Sequence, residues 1–172
     1  VVFAACLLRG QPAILRHDAR QSALLAIAEQ FPGTLFAADR PIDAPDSLVR
    51  QVAFAGTRTS SSNVNAAIPQ ERAAAILFTS GSTGRAVAIT RTWKWLVAGV
   101  NDYVAGLSLD ELKGLSIVST VPPQHSFGLE ATALLPLRTS ASVQASRALF
   151  PKDVINALAS ARAPAALVTT PF

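Results

Sequence analysis

The sequence contains no methionine, one cysteine and two histidines among its 172 residues. A single cysteine, Cys6, excludes an internal disulfide and a cysteine-based zinc cluster, and makes a reducing, cytoplasmic location the expected one. No apolar stretch approaches the ~20 residues that cross a bilayer, and no signal-peptide pattern opens the chain. Because the chain begins at Val1 and lacks methionine, we expect a fragment whose natural start lies upstream.

Charge is also sparse, since only 15% of the residues are charged. Lys and Arg number 15 against 11 Asp and Glu, which gives a net charge of +4. The arginines are spread along the chain without a basic run, so a nucleic-acid partner is not expected. The excess predicts a mild attraction for an anionic small molecule. Hydrophobic residues make up 50% of the chain, which suffices for a packed core and excludes disorder.

Helical and strand patterns alternate along the chain. Apolar spacing predicts helices over 2–8, 21–30, 127–137 and 151–161. It also predicts a helix capped by Thr92, with an apolar face of Trp93, Leu96, Val97, Val100, Val104 and Leu107. Short apolar runs predict strands over 12–15, 34–37, 48–54, 73–78, 115–121, 141–144 and 165–169. This alternation indicates an α/β fold with a mostly parallel sheet flanked by helices.

The most unusual stretch is the loop that follows the predicted strand 73–78, and it reads Thr79-Ser80-Gly81-Ser82-Thr83-Gly84. Its two glycines allow the backbone to approach a ligand closely, and its consecutive N–H groups and hydroxyls can donate to phosphate oxygens. One threonine hydroxyl can also reach a phosphate-bound magnesium ion. In α/β sheets, ligands bind at the carboxyl ends of strands, where this loop lies. The alternative is a flexible connector without a ligand.

The spacing separates this loop from two other phosphate-binding loops. A Walker loop requires G-x-x-x-x-G-K-[ST], but here the glycines are three residues apart and Arg85 follows the second. The dinucleotide fingerprint G-x-G-x-x-G also fails, because Ser80-Gly81-Ser82 has only one glycine. Both of these classes are excluded.

The loop instead resembles the signature loop of the adenylate-forming superfamily, which comprises acyl- and aryl-CoA synthetases, peptide-synthetase adenylation domains and luciferases. Thr79 through Gly84 match its T-S-G-[ST]-T-G core at every position. The stretch 121–130, VPPQHSFGLE, resembles the family's second motif, in which a His or aromatic residue precedes a helix that opens with F-G or Y-G. This form is most similar to acyl-CoA synthetase-like proteins of bacterial lipid or aryl-polyene pathways. The stretches 134–137, 150–151 and 167–171 are similar as well.

The resemblance covers residues 73–172 well, whereas residues 1–72 fit only by the order of their elements and include a polar surface loop over 56–69. It implies that residues 1–172 form the N-terminal part of the large AMP-binding domain. The family's later adenine and ribose motifs are absent from this sequence, as is the C-terminal domain with its catalytic lysine. We therefore expect these 172 residues to be inactive on their own.

The resemblance also implies a reaction and a site. A carboxylic acid, acyl or aryl, is activated by ATP and Mg²⁺ to an acyl-adenylate and then passed to a thiol of CoA or of a carrier protein's phosphopantetheine. Ser80 to Gly84 would close over the β- and γ-phosphates, and Thr79 or Thr83 would help to orient magnesium. His125, with Phe127 and Gly128, would position the carboxylate. The alternative for His125 is a hydrogen bond to a backbone group at the start of its helix.

One departure from the family concerns charge. The family's P-K after the loop is replaced by Ala86-Val87, so its usual lysine is missing, and Arg85 or Arg91 is predicted to supply the cation. The loss also supports an alternative, a degenerate member that binds nucleotide or a carrier protein without catalysis. A phosphotransferase with an atypical loop is a third possibility, weakened by the lack of a nearby lysine-bearing motif or aspartate pair.

Overall fold

The computed structural model describes residues 2–16, 18–38, 41–52, 66–79, 87–144 and 148–170, and of Thr79 it describes only the backbone. The helices are α1 (Val2–Leu8), α2 (Gln21–Gln30), α3 (Trp93–Gly106), α4 (Ser126–Leu129), α5 (Leu135–Arg138) and α6 (Pro151–Ser160). A π-helical segment, Glu130–Leu134, joins α4 to α5, and short 3-10 turns span Asp46–Leu48 and Leu109–Glu111. The strands are β1 (Ala13–Leu15), β2 (Phe36–Ala38), β3 (Val49–Gln51), β4 (Ala73–Thr79), β5 (Val87–Thr92), β6 (Ser116–Ser119), β7 (Ser142–Val143) and β8 (Ala165–Val168).

The described strands form three small sheets. In the first, with order β1-β4-β5, β1 runs parallel to β4 and β4 runs antiparallel to β5. β2 and β3 form a parallel pair, and the third sheet, β7-β6-β8, is parallel throughout. Four of these five pairings are parallel, and helices alternate with the strands. The predicted α/β class with a mostly parallel sheet is therefore confirmed.

Strand β5 is the element that the sequence prediction misses. Val87, Ile89 and Thr90 are β-branched residues that favour a strand, but the helix signal at Thr92 follows this short run immediately. In the structure β5 pairs with β4, and Val87 lies opposite Thr79. The glycine-rich loop therefore connects two antiparallel strands and does not lead directly from a strand into a helix.

One hydrophobic core joins α3 to two of the sheets. α3 contributes Leu96, Val100 and Val104, which are buried and lie one turn apart on the same face. They pack in one cluster with residues of β4, β6 and the helices after β6, namely Ala74, Ala75, Leu77, Ile117, Leu129, Leu134 and Leu135. The prediction that Leu107 belongs to the apolar face is wrong, since this side chain is 65% exposed. α3 ends at Gly106, so helical spacing no longer directs the next residue to the core.

Thr92 caps α3, because its side-chain oxygen accepts a hydrogen bond from the backbone N–H of Trp95 at 3.3 Å. Thr92→Ala leaves that N–H without its partner and is expected to lower the free energy of unfolding by about 1 kcal/mol. Thr92→Ser keeps the oxygen and should retain most of the stability. Urea unfolding of the three proteins measures the difference, and equal losses in both variants would contradict a role in capping.

Candidate functional site

The predicted phosphate loop begins where β4 ends. Thr79 is the last residue of β4 and pairs with Val87 of β5, so these two positions mark the base of the loop. Ser80, Gly81, Ser82, Thr83, Gly84 and Arg85 lie outside the described residues. Their contacts with ATP phosphates, and the role of Thr79 or Thr83 toward magnesium, stay predictions.

The second predicted segment follows β6 and ends in a tight turn before α4. The Ser119 hydroxyl accepts from the backbone N–H of Val121 at 3.1 Å, and the N–H of His125 donates to the carbonyl of Pro122 at 3.0 Å. His125 takes the N-cap position of α4 with an extended backbone, and its carbonyl accepts from Leu129 at 2.8 Å. Its side chain does not cap the helix. The turn therefore fixes where His125 leaves the backbone, while its contact with substrate stays a prediction.

Gly128 and Phe127 are packed tightly against their own chain. A Cβ added to Gly128 would collide with the carbonyl oxygen of Pro122 and would lie 2.7 Å from its carbonyl carbon. Only glycine therefore allows α4 to approach the turn that precedes His125. The ring of Phe127 lies 5.9 Å from that of Tyr103 on α3, in a tilted arrangement. Both residues thus hold the predicted segment in place, and their contact with substrate also stays a prediction.

A buried carboxylate lies one turn after His125. Glu130 is only 4% exposed and begins the π-helical segment. The Ser126 hydroxyl donates to its Oε1 at 3.2 Å, and on α3 a Cβ at Gly99 would lie 2.9 Å from its Oε2. The sequence places Glu130 in the first helical turn with a structural role, but nothing in its local pattern indicates the burial. The signal that reveals the burial is Gly99 on α3, which makes room for the carboxylate. It can be recognised only once the three-dimensional fold is known.

Tyr103 completes the surroundings of this carboxylate. Burial, followed by the charge of Glu130 and a hydrogen bond to it, raises the pKa of Tyr103 to about 12. The phenol therefore stays protonated at neutral pH. With the Ser126 hydroxyl as a donor, the buried carboxylate avoids part of the cost of an unpaired charge. Together these contacts tie the start of α4 to α3.

The raised pKa of Tyr103 predicts a loss of stability in alkaline solution. The folded state holds this proton more tightly than the unfolded chain, where the pKa is near 10.0. The contribution is therefore fully present below pH 10.0 and is lost as pH rises toward about 12. Tyr103 is the only tyrosine of this sequence, so tyrosinate absorbance minus that of Tyr103→Phe reports its titration. Wild type should lose stability more steeply than Tyr103→Phe over this range, and parallel pH profiles would contradict the shift.

Arg91, one of the two predicted cations, lies on β5 near the end that is farther from the predicted phosphate loop. It pairs with Ala75, four residues from Val87, which is roughly 13 Å along the strand. Its guanidinium carbon lies 3.8 Å from the ring centroid of Trp95, and its Nε is buried without a hydrogen-bond partner among the described residues. This placement favours Arg85 over Arg91, and a phosphate contact of either residue stays a prediction.

A cleft of about 710 Å³ lies beside β1 and β4. Ile14 and Leu15 of β1 line it together with Ile76 of β4 and Gln124, the neighbour of His125. Residues of α1, α2 and β2 form much of the rest of its largely apolar wall, and the charged side chains of Arg16, Asp18 and Arg50 also line it. The strand that leads into the predicted phosphate loop and the turn that carries His125 therefore border the same cleft.

The described part of the chain contains no metal site built from protein side chains alone. There, no group of three or more His, Cys, Asp or Glu side chains is arranged to hold a metal ion. Thr83, a predicted magnesium ligand, lies outside that part.

Among the described helices, none combines the length and the apolar character needed to cross a membrane.

Comparison with solved structures identifies the fold. The chain is similar to a malonyl-CoA ligase solved with methylmalonyl-CoA and AMP, at 20% identity and a TM-score of 0.70, over 92% of this chain and 35% of that one. It is similar to the o-succinylbenzoate CoA synthetase of Bacillus subtilis solved with its acyl-adenylate, at 16% identity and a TM-score of 0.67, over 92% and 42%. A fatty acyl-adenylate ligase from L. pneumophila matches at 19% identity and a TM-score of 0.60, over 82% and 26%. No protein-family model and no curated protein matches the sequence.

The chain therefore has the fold of part of an adenylate-forming enzyme, as the sequence resemblance predicts. The likeness extends over nearly all of this chain but spans only 26% to 42% of these three relatives. At such low identities the likeness establishes the fold, and the residues that would carry a reaction have to be tested directly.

Proposed function

We propose that the protein activates a carboxylic acid, acyl or aryl, with ATP and transfers the resulting acyl group to a thiol. One observation carries the proposal: Thr79 ends β4 and Ser80 to Gly84 follow it directly in the sequence, in a chain whose fold matches a ligase solved with methylmalonyl-CoA and AMP over 92% of its length. The other two relatives were each solved with an acyl-adenylate. We assign residues 1–172 to the N-terminal part of the AMP-binding domain.

In the proposed reaction, a carboxylate oxygen attacks the α-phosphorus of ATP and pyrophosphate leaves. The sulfur of CoA or of a carrier protein's phosphopantetheine then attacks the acyl carbon, and AMP leaves. Both reactants of the first step are anions, so the protein has to neutralise the phosphates and hold the two in line. We assign the protein, on this proposal, to the cytoplasm and to fatty or aryl acid metabolism.

The residues divide this work between two segments. The hydroxyls and N–H groups of Ser80 to Gly84 would hold the β- and γ-phosphates and leave the α-phosphorus open. Mg²⁺ would be held by phosphate oxygens, with a hydroxyl of Thr83 or Thr79 as a further hard oxygen ligand, and it would offset part of the phosphate charge. His125 would orient the carboxylate from the turn before α4, beside Phe127 and Gly128.

Carboxylate-dependent exchange of labelled pyrophosphate into ATP, measured on the full-length protein, tests this function. A panel of acyl and aryl acids should contain at least one that stimulates the exchange, and that acid should form a thioester when CoA or a loaded carrier protein is added. Transfer of the γ-phosphoryl group without any dependence on a carboxylate would contradict the proposal and favour a phosphotransferase.

The replacement of P-K by Ala86-Val87 favours a second candidate function. A member of this fold without the lysine could bind nucleotide, or a carrier protein, without completing adenylation. ATP binding together with no pyrophosphate exchange for any acid of the panel would favour this second function.

A further inference from the structure

We propose that Glu130 positions the carboxylic acid substrate indirectly, by fixing Ser126 and Phe127, the two residues that follow His125. The inference deepens the proposed function and rests on it, since it assumes that the segment from His125 to Gly128 receives the acid. Glu130 is only 4% exposed, so it acts through its neighbours and does not itself touch the substrate.

The carboxylate of Glu130 lies against a face of α3 that carries Gly99 and Tyr103. These two residues are four positions apart in the helix, so they lie one turn apart on the same face. A Cβ at Gly99 would lie 2.9 Å from Oε2 of Glu130 and 3.2 Å from its carboxyl carbon. The carboxylate therefore occupies the space that a side chain at Gly99 would need, and α3 fixes where it lies.

Two contacts lead from this place to the residues after His125. The Ser126 hydroxyl donates to Oε1 of Glu130 at 3.2 Å, and Ser126 is the first residue of α4. The ring of Phe127 lies 5.9 Å from that of Tyr103, and the charge of Glu130 contributes, after burial, to raising the pKa of Tyr103 to about 12. Ser126 and Phe127 are thus both held from the side of α3 on which Glu130 lies, which fixes the backbone that carries His125.

Three features of this arrangement are unfavourable for folding, which argues for a role beyond stability. A buried carboxylate costs more free energy than a well-packed apolar side chain of similar volume. A glycine inside a helix, as at Gly99, is less stable than alanine would be. From Glu130 the chain continues as a π-helix, Glu130–Leu134, a rare form that is frequent at functional sites.

An apolar residue at position 130 together with alanine at position 99 would avoid the first two of these costs. Local choices that oppose stability are expected to concentrate at functional sites. Here they meet one helical turn from Ser126, beside the segment that we propose receives the acid. A purely structural carboxylate would have no reason to lie at this point of the fold.

Carboxylate-dependent pyrophosphate exchange by the full-length protein tests the inference. Glu130→Met fills the same space without an acceptor for the Ser126 hydroxyl, and it should raise KM for the acid roughly ten- to hundredfold, the loss of a hydrogen bond to a charged group. Its kcat and its KM for ATP should change little, because uniform binding of the acid alone is lost. Glu130→Gln keeps an acceptor oxygen and should recover a large part of the affinity for the acid.

Two further variants complete the test. Ser126→Ala should raise KM for the acid as well, and its effect should not add to that of Glu130→Met in the double variant, because both remove the same hydrogen bond. Glu71→Met is the matched control, since Glu71 is 78% exposed and contacts Lys94 at 3.7 Å on the surface. Its KM for the acid should equal that of the wild type.

The outcomes separate this inference from the function on which it rests. If the wild-type protein shows no exchange with any acid, the proposed function fails and the inference fails with it. If the wild-type protein is active and Glu130→Met has the wild-type KM for the acid, only the inference is overturned. An equal rise of KM for the acid and for ATP, or a loss of kcat alone, would show a purely structural role and would also overturn it. If Glu130→Met does not fold, Ser126→Ala decides: a raised KM for the acid supports the inference and an unchanged one overturns it.

Discussion

Gly128→Ala is expected to lower the free energy of unfolding by about 3 kcal/mol or more, at the upper end of the cost of overpacking. The added methyl group would collide with the carbonyl oxygen of Pro122 and lie 3.3 Å from the Cα of Pro123. Both contacts are with backbone, so no side chain can rotate away to relieve them. Either α4 or the turn before it has to move, and the packing of Leu129 in the core opposes that movement. Urea unfolding of the wild type and the variant measures the loss.

Gly106→Ala is the matched control for this prediction. Gly106 is the last residue of α3, and a Cβ there would meet nothing within 4 Å. The same substitution should therefore stabilise the protein, by roughly 0.5–1 kcal/mol, because alanine loses less backbone freedom on folding. If both variants changed stability in the same direction, the backbone freedom of glycine would explain the effect, and the contact with Pro122 would not.

Gly128 also connects stability to the proposed site. Because Gly128 has no Cβ, α4 can lie close to the turn at Pro122, and His125 lies between these two elements. Glu130 fixes the same helix from the other side through Ser126. The direction in which His125 leaves the backbone is thus determined by packing at Gly128 and Glu130.

Local patterns in the sequence predicted most of the helices well. The observed α2, Gln21–Gln30, has the predicted bounds, because its apolar spacing and the following Pro32-Gly33 are both local signals. Thr92 caps α3 as predicted, and Pro151 opens α6. These features depend on residues within a few positions of one another, which is why a sequence reveals them.

Features that depend on distant pairing were not predictable in this way. The parallel pairing of β1 with β4 brings Ile14 beside Ile76, across 62 positions of the chain. The neighbourhood of Arg16 and the burial of Glu130 against Gly99 arise from such contacts. The residue types alone locate the candidate loop, whereas the position of Arg16 beside Phe78 depends on the pairing of β1 with β4.

The double variant Ser80→Ala/Thr83→Ala is expected to have the largest effect on activity. In the full-length protein it should lower kcat/KM for carboxylate-dependent pyrophosphate exchange roughly 10²- to 10³-fold, the loss typical of a missing preorganised donor. Both hydroxyls would otherwise donate to the pyrophosphate as negative charge develops on it. The loss should therefore fall mainly on kcat, whereas removal of uniform binding would raise KM alone.

The double variant Ser160→Ala/Thr90→Ala is the matched control, because it removes the same two hydroxyls from exposed positions on α6 and β5. The Ser160 hydroxyl donates to the carbonyl of Ala157 within its own helix at 3.1 Å and accepts from Nε2 of Gln144 at 3.4 Å. Exchange activity in this control should equal that of the wild type. If the loop variant retained wild-type kcat and KM, the hydroxyls of Ser80 and Thr83 would have no part in holding the phosphates.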